Sequence, residues 1–173
     1  MSSEEYCICF KDVEDAYENI KTHVNLTPVL TASSLSNLSC SNLFFKCEAF
    51  QKTGSFKFRG AMNAVINLCG QNEHDEKHCV THSSGNHAAA LALAARLAPQ
   101  SNVKATIVMP ENAPIIKVNG VRGFGGNIVF VESTNEARES KADEIVLEQK
   151  AYFVVRTCFI KRIELLGCFY FES

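Results

Sequence analysis

Between residues 77 and 149, short β-rich runs alternate with segments of helical period, and no other feature restricts the fold of this chain as strongly. Residues 77–82, 104–109 and 127–131 read as strands, and residues 87–97, 113–122 and 135–149 read as helices. Strands that alternate with helices of this length build a parallel sheet with helices over its faces, because each helix returns the chain to the start of the next strand. The helix opening at His87 reads HAAALALAARLA and is apolar nearly all round, so it is expected in the interior. Pro110 closes the second strand, Gly123, Gly125 and Gly126 close the second helix, and Ser133 or Thr134 caps the third.

Upstream, residues 11–24 place Val13, Ala16, Tyr17, Ile20 and Val24 on one helical face, with acids on the other. Thr27-Pro28 breaks that helix, since a residue before proline avoids the helical region. Residues 43–48 read as a strand and residues 51–55 as a loop. A second helix runs from Phe56 to about Cys69, with Phe58, Ala61, Met62, Val65 and Leu68 on one face.

Composition removes several classes of function. The 173 residues have room for one domain, or for a small domain and part of another. With 46% apolar and 21% charged residues the chain is globular rather than disordered. A net charge of -2 leaves no basic footprint for nucleic acid. No uncharged apolar run is long enough to span a membrane, and the acidic start lacks the pattern of a secretory leader. The eight cysteines are Cys7, Cys9, Cys40, Cys47, Cys69, Cys79, Cys158 and Cys168, with no C-x-x-C pair among them. Most sit among apolar neighbours, so buried thiols in a reducing cytosol, and a cytoplasmic protein, are expected.

Two segments carry groups suited to chemistry. Ser83-Ser84-Gly85-Asn86-His87 lies between a strand and the apolar helix. A helix N-terminus presents unpaired N–H groups and partial positive charge, a seat for a carboxylate or phosphate. A capped helix start accounts for these residues about as well as a ligand site does. In Gly54-Ser55-Phe56-Lys57-Phe58-Arg59-Gly60, Lys57 stands between two phenylalanines. A surface lysine is the commoner reading; the sharper one is a nucleophilic amine that loses its proton more readily in apolar surroundings. No G-x-G-x-x-G or Walker loop supports a nucleotide-binding module.

Together, FFKCEAFQKTGSFKFRGAMNAV and VTHSSGNHAAALALAA resemble the pyridoxal-phosphate enzymes of the second fold type, in the branch of serine racemases and threonine dehydratases. LTPVL and ATIVMPENAPIIKV join the likeness, which covers roughly residues 15–149. The motifs S-F-K-x-R-G and S-S-G-N-H are specific as a pair and much weaker singly. The resemblance implies a three-layer α/β fold: residues 1–76 from a truncated large domain, residues 77–150 a complete small parallel-sheet domain, and residues 151–173 a divergent tail. It implies pyridoxal 5'-phosphate as cofactor, with ATP and magnesium or calcium as activators and the metal site absent from this chain. It implies L-serine or L-threonine as substrate, D-serine or an ammonia-lyase product, a homodimer, and neither nucleic acid nor membrane as partner.

Carried over by position, the resemblance makes Lys57 the Schiff-base lysine, acting on one face of the substrate Cα. Ser84 handles the proton on the opposite face, as a racemase requires. Asn86 bonds the cofactor's phenolic oxygen and Phe56 packs near its ring. Ser83, Ser84, Asn86, His87 and Arg138 hold the substrate, and Ser33, Ser34, Lys52 and Thr53 match the ATP-binding region.

The same resemblance implies a chain about twice as long, whose second half brings a glycine-rich phosphate loop, a partner for the pyridine nitrogen and carboxylates for the metal. Gly123, Gly125 and Gly126 are not that loop. After Gln149 the sequence AYFVVRTCFIKRIELLGCFYFES opens like the expected strand and then carries no family motif, so its packing is expected to be poor. Arg156, Lys161, Arg162 and Glu164 divide the apolar run and argue against a membrane anchor. A chain of this extent is expected to be inactive alone, or to be a non-catalytic product that associates with a full-length subunit.

Overall fold

The computed structural model describes residues 9–70, 76–98 and 103–154. The chain opens with α1 (Phe10–Ile20), where the Asp12 carboxylate accepts the Cys9 backbone N–H at 2.7 Å. It buries Ala16 and Ile20 and stops before the apolar period ends, because residues 21–24 close in turns on the Ile20 carbonyl. A short antiparallel ribbon follows, β1 (Val29–Thr31) against β2 (Phe44–Lys46), pairing Leu30 with Phe45 and Thr31 with Phe44. Between them lies α2 (Ser33–Ser39), a helix the apolar pattern does not announce, since it buries nothing. All three residues of β1 are exposed, and Phe44 is 71% exposed, so the ribbon is bare of cover. Two single 3₁₀ turns, Glu48–Phe50 and Lys52–Gly54, lead into α3 (Lys57–Cys69).

The remaining elements alternate as their period requires: β3 (Lys77–His82), α4 (Asn86–Arg96), β4 (Val103–Pro110), α5 (Ile115–Gly123), β5 (Asn127–Val131), α6 (Asn135–Gln149) and β6 (Tyr152–Phe153). Thr134 caps α6 by accepting the Ala137 N–H at 3.1 Å. The four strands form one sheet in the order β5-β4-β3-β6, all parallel. Pro110 is the last residue of β4 rather than the residue after it, pairing with Val131.

Side chains alternate across this sheet with a period of two. Cys79, Ile107 and Met109 join the core with α3, α4 and α5. Val80 and Val108 face the other way, onto Ala142 and Ile145 of α6. Eight of the eleven residues of α4 are buried, so the helix lies inside as its composition requires. It packs against α3, whose Gly60, Ala61 and Ala64 are also buried. Small residues on both sides let two helices approach closely.

Beyond residue 150 the sheet continues. β6 pairs Tyr152 with Cys79 and Phe153 with Val80, and Ala151 and Val154 are buried. The poor packing expected of the tail therefore does not begin at its start: the opening residues add a strand to the sheet, and residues 155–173 lie outside the described part. The expectation of mostly buried thiols also needs correction. Cys69 and Cys79 are buried, Cys47 is half-buried, and Cys9 and Cys40 are exposed as the N-cap of α1 and the C-cap of α2, where no other element covers them. Cys7, Cys158 and Cys168 lie outside the described residues. No described helix is long and apolar enough to cross a membrane.

Candidate active site

The strand order determines where a crevice opens. From β3 the chain moves through α4 to β4 and β5, then returns through α6 on the opposite face to β6 on the other side of β3. The strand order therefore reverses between β3 and β6, and ligands of open parallel sheets bind outside the carboxyl ends of the strands at such a point. The segment at that point is Ser83-Ser84-Gly85-Asn86-His87.

Ser83 continues the sheet by donating its N–H to the Val108 carbonyl at 3.1 Å, and its buried hydroxyl accepts the Gly85 N–H at 3.3 Å. α4 then starts at Asn86 with no side-chain cap, so its N-terminus, with the partial positive charge of a helix start, lies at the carboxyl end of β3. His87 is buried, with Nε2 3.3 Å from the Val154 carbonyl just past β6, so it ties the two sides of the switch point together. Asn86 is exposed and Ser84 is half-buried.

Phe56 and Lys57 come from the start of α3, and the Lys57 ammonium lies 4.8 Å from the centre of the Phe56 ring. Phe56, Lys57, Ser83, Ser84, Gly85, Asn86 and His87 line one cleft of about 260 Å³. A Cβ built on Gly85 meets nothing within 4 Å, so the missing side chain leaves space in this cleft rather than relieving a clash. The two segments singled out in the sequence thus meet at one place.

Arg138, expected at the substrate, is not on it, and the residues expected to bind ATP lie elsewhere. Arg138 sits in the first turn of α6 and is bonded within its own helix, Nε to the Thr134 carbonyl at 3.1 Å and Nη2 to the Asn135 amide oxygen. It does not line the cleft. Ser33 and Ser34 are exposed on α2. Lys52 donates to the His23 carbonyl at 2.5 Å and lies over the Phe58 ring, so its charge is engaged within the fold. Thr53 is left-handed, with φ 63°, and its hydroxyl is buried with no hydrogen-bond partner.

The sequence reading missed an ion pair behind Lys57 whose arginine is buried and whose carboxylate is half-buried. Arg59 grips Glu48 with two bonds, Nε to Oε2 at 2.8 Å and Nη2 to Oε1 at 2.7 Å. The Thr27 hydroxyl donates to Glu48 Oε1 at 2.6 Å, and Lys46 donates to the Thr27 carbonyl at 2.8 Å. Burial pushes the Glu48 carboxyl up, but the bonds from Arg59 and Thr27 and the charges of Arg59 and Lys46 outweigh it and hold it below its usual range. A signal was present: Glu48 and Arg59 each interrupt a run of apolar residues, and a charge carried into a core needs a partner.

A family model described as "Pyridoxal-phosphate dependent enzyme" matches residues 20–164. The chain belongs to this family. The match runs through residue 164, into the segment that reads as divergent from sequence alone. The rat protein named serine racemase is 48% identical over 151 residues, 87% of this chain and 44% of its own length. The structure of maize serine racemase superposes with a TM-score of 0.83 at 38% identity, over 94% of this chain and 47% of that one. Threonine deaminase isoform 2 from Solanum lycopersicum gives a TM-score of 0.77 at 30% identity, over 91% of this chain and 42% of that one. The chain spans somewhat under half the length of these relatives.

For a pyridoxal-phosphate dependent enzyme the cleft offers a fitting set of groups. It has an amine for an aldehyde, an aromatic face beside that amine, an amide, and a glycine that leaves room next to uncapped helical N–H groups.

Proposed function

We propose that Lys57 binds the cofactor aldehyde in this cleft and that the whole protein interconverts L-serine and D-serine, with ammonia-lyase action on serine or threonine as a side activity. The observation that carries this reading is that Lys57 and Ser84, an amine and a hydroxyl from separate elements, line one cleft. Bound pyridoxal phosphate supplies an electron sink that makes the substrate Cα–H acidic. Lys57 takes or returns that proton on one face and Ser84 on the other, and reversal of configuration requires both. Ser83, Asn86 and His87, with the open N-terminus of α4, hold the substrate carboxylate where the helix dipole favours negative charge. The Asn86 amide also donates to the cofactor's phenolic oxygen, and Phe56 packs against its ring. Arg138 has no part in this assignment, because it is off the cleft. Activation by ATP and by magnesium or calcium, and assembly as a homodimer, belong to the same reading.

A second reading, a non-catalytic chain that pairs with another subunit, is favoured by the bare β1–β2 ribbon, where Leu30 is 52% exposed. One experiment separates the two. The purified protein is titrated with pyridoxal phosphate and scanned for a visible band, then supplied with L-serine while D-serine and keto acid are quantified. A band and turnover that both vanish in Lys57→Ala support the first reading. No band, or one unchanged in Lys57→Ala, rejects it.

A further inference from the structure

Lys57 occupies the first turn of α3, and no side chain caps that turn. Phe56 at the N-cap has helical angles and makes no side-chain cap. The turn bonds there are Phe58 N–H to the Ser55 carbonyl at 3.4 Å and Arg59 N–H to the Phe56 carbonyl at 3.1 Å. First turns leave N–H groups unpaired, so an uncapped one depends on tertiary contacts to keep its orientation.

Those contacts converge on residues 23–27 from both sides of Lys57 in the chain. Before it, Gln51 makes a two-way pair with Asn25: its Oε1 accepts the Asn25 N–H at 2.9 Å and its Nε2 donates to the Asn25 carbonyl at 2.9 Å. Lys52 donates to the His23 carbonyl. After it, Arg59 is 3% exposed and holds Glu48 in a two-point grip, with longer contacts of 3.4 Å to the Thr27 hydroxyl and the Asn25 carbonyl. Residues two apart on an α-helix are turned by about 200°. Lys57 and Arg59 therefore leave α3 on nearly opposite sides, one toward the cleft and the other into the buried network.

We infer that Arg59 is a positioning residue: clamped to Glu48, it sets the rotation of the first turn of α3 and so the direction in which Lys57 presents its amine. The inference rests on the reading of Lys57 as the cofactor-binding amine. A buried ion pair is a poor device for stability, because two apolar residues of the same shape usually serve as well. It is a good device for direction. A planar guanidinium fork on a carboxylate fixes an angle, which an apolar contact or a single-point ammonium does not.

The test uses three variants, Arg59→Lys, Glu48→Gln and the double change Arg59→Met with Glu48→Leu, each checked for a cooperative melt. The folded proteins are incubated with pyridoxal phosphate and reduced with borohydride. The neutral Lys57 amine attacks the aldehyde carbon, a carbon–nitrogen double bond forms, the carbonyl oxygen leaves as water, and hydride from borohydride makes the adduct permanent. Peptide mapping then gives the share of label on Lys57 relative to the other lysines. Amide hydrogen exchange is followed at residues 57–60. In the double variant, exchange at 57–60 should rise about tenfold or more and the Lys57 share should fall at least several-fold, while α4 exchanges as before. Arg59→Lys, which keeps the charge and loses the two-point fork, should also raise the exchange and lower the Lys57 share, which a role in charge balance alone would not require. Unchanged exchange and unchanged selectivity in a folded variant would overturn the assignment. Should the double variant not fold, the two single variants decide by the same readouts. If the unaltered protein gives no Lys57 adduct, the cofactor reading fails, and the exchange at 57–60 still decides whether Arg59 holds the turn.

Discussion

Lys57, at the start of α3, and Ser84, in the loop after β3, line the same cleft although most of a helix and a whole strand separate them along the chain. Inversion at a carbon needs a proton group on each face, whereas elimination needs proton removal on one face only. On the proposed function, Ser84→Ala should therefore lower racemisation by about 10²-fold or more, the typical worth of a positioned acid–base group. Elimination from one enantiomer of serine should persist. Quantifying D-serine and keto acid from each enantiomer checks this, and equal loss of all four rates would place Ser84 in binding instead.

Acid stability should follow Glu48. Its carboxyl is held below the usual 4.5, so its stabilising contribution is complete above that pH and is lost as pH falls through the lower folded value. At neutral pH, Glu48→Gln should be less stable by about 1–3 kcal/mol, because Arg59 keeps a buried charge with a weaker acceptor. Below pH 4.5 the difference should shrink. Urea midpoints of both proteins across the acid range measure it.

The thiols should divide by exposure. Burial pushes the Cys79 thiol up to about 12, and Cys79 and Cys69 are both buried. Thiolate is the reactive form, so brief treatment of the native protein with iodoacetamide should modify Cys9 and Cys40 and spare Cys69 and Cys79. Urea should abolish the difference. Peptide mass spectra give the extent at each position.

Gly126 should not tolerate a side chain. A Cβ there falls 2.7 Å from Val121 Cγ1 and 2.9 Å from the Ala92 Cβ, on the buried faces of α5 and α4. Overpacking of this kind costs about 1–3 kcal/mol. Gly126→Ala should lower the melting temperature, whereas Gly123→Ala, with open space at its Cβ, should do so much less. A calorimetric comparison of the two variants is the check.

What was legible in the amino-acid order was local. The strands at residues 77–82 and 127–131, the helix at residues 135–149 with its Thr134 cap, and the burial of α4 follow from period, punctuation and propensity. Neighbouring residues record these directly. The motif around Lys57 and the run from Ser83 to His87 could each be singled out for the same reason. Their meeting in one cleft depends on the packing of α3 against α4, which brings the start of α3 to the loop at the carboxyl end of β3. The clamp between Glu48 and Arg59, the exposure of Cys9 and Cys40, the absence of Arg138 from the cleft and the addition of Tyr152–Phe153 to the sheet were likewise decided by tertiary packing. A residue's chemical type states what partner it needs, but which partner reaches it depends on how faces distant in the chain are brought together, and no local period encodes that.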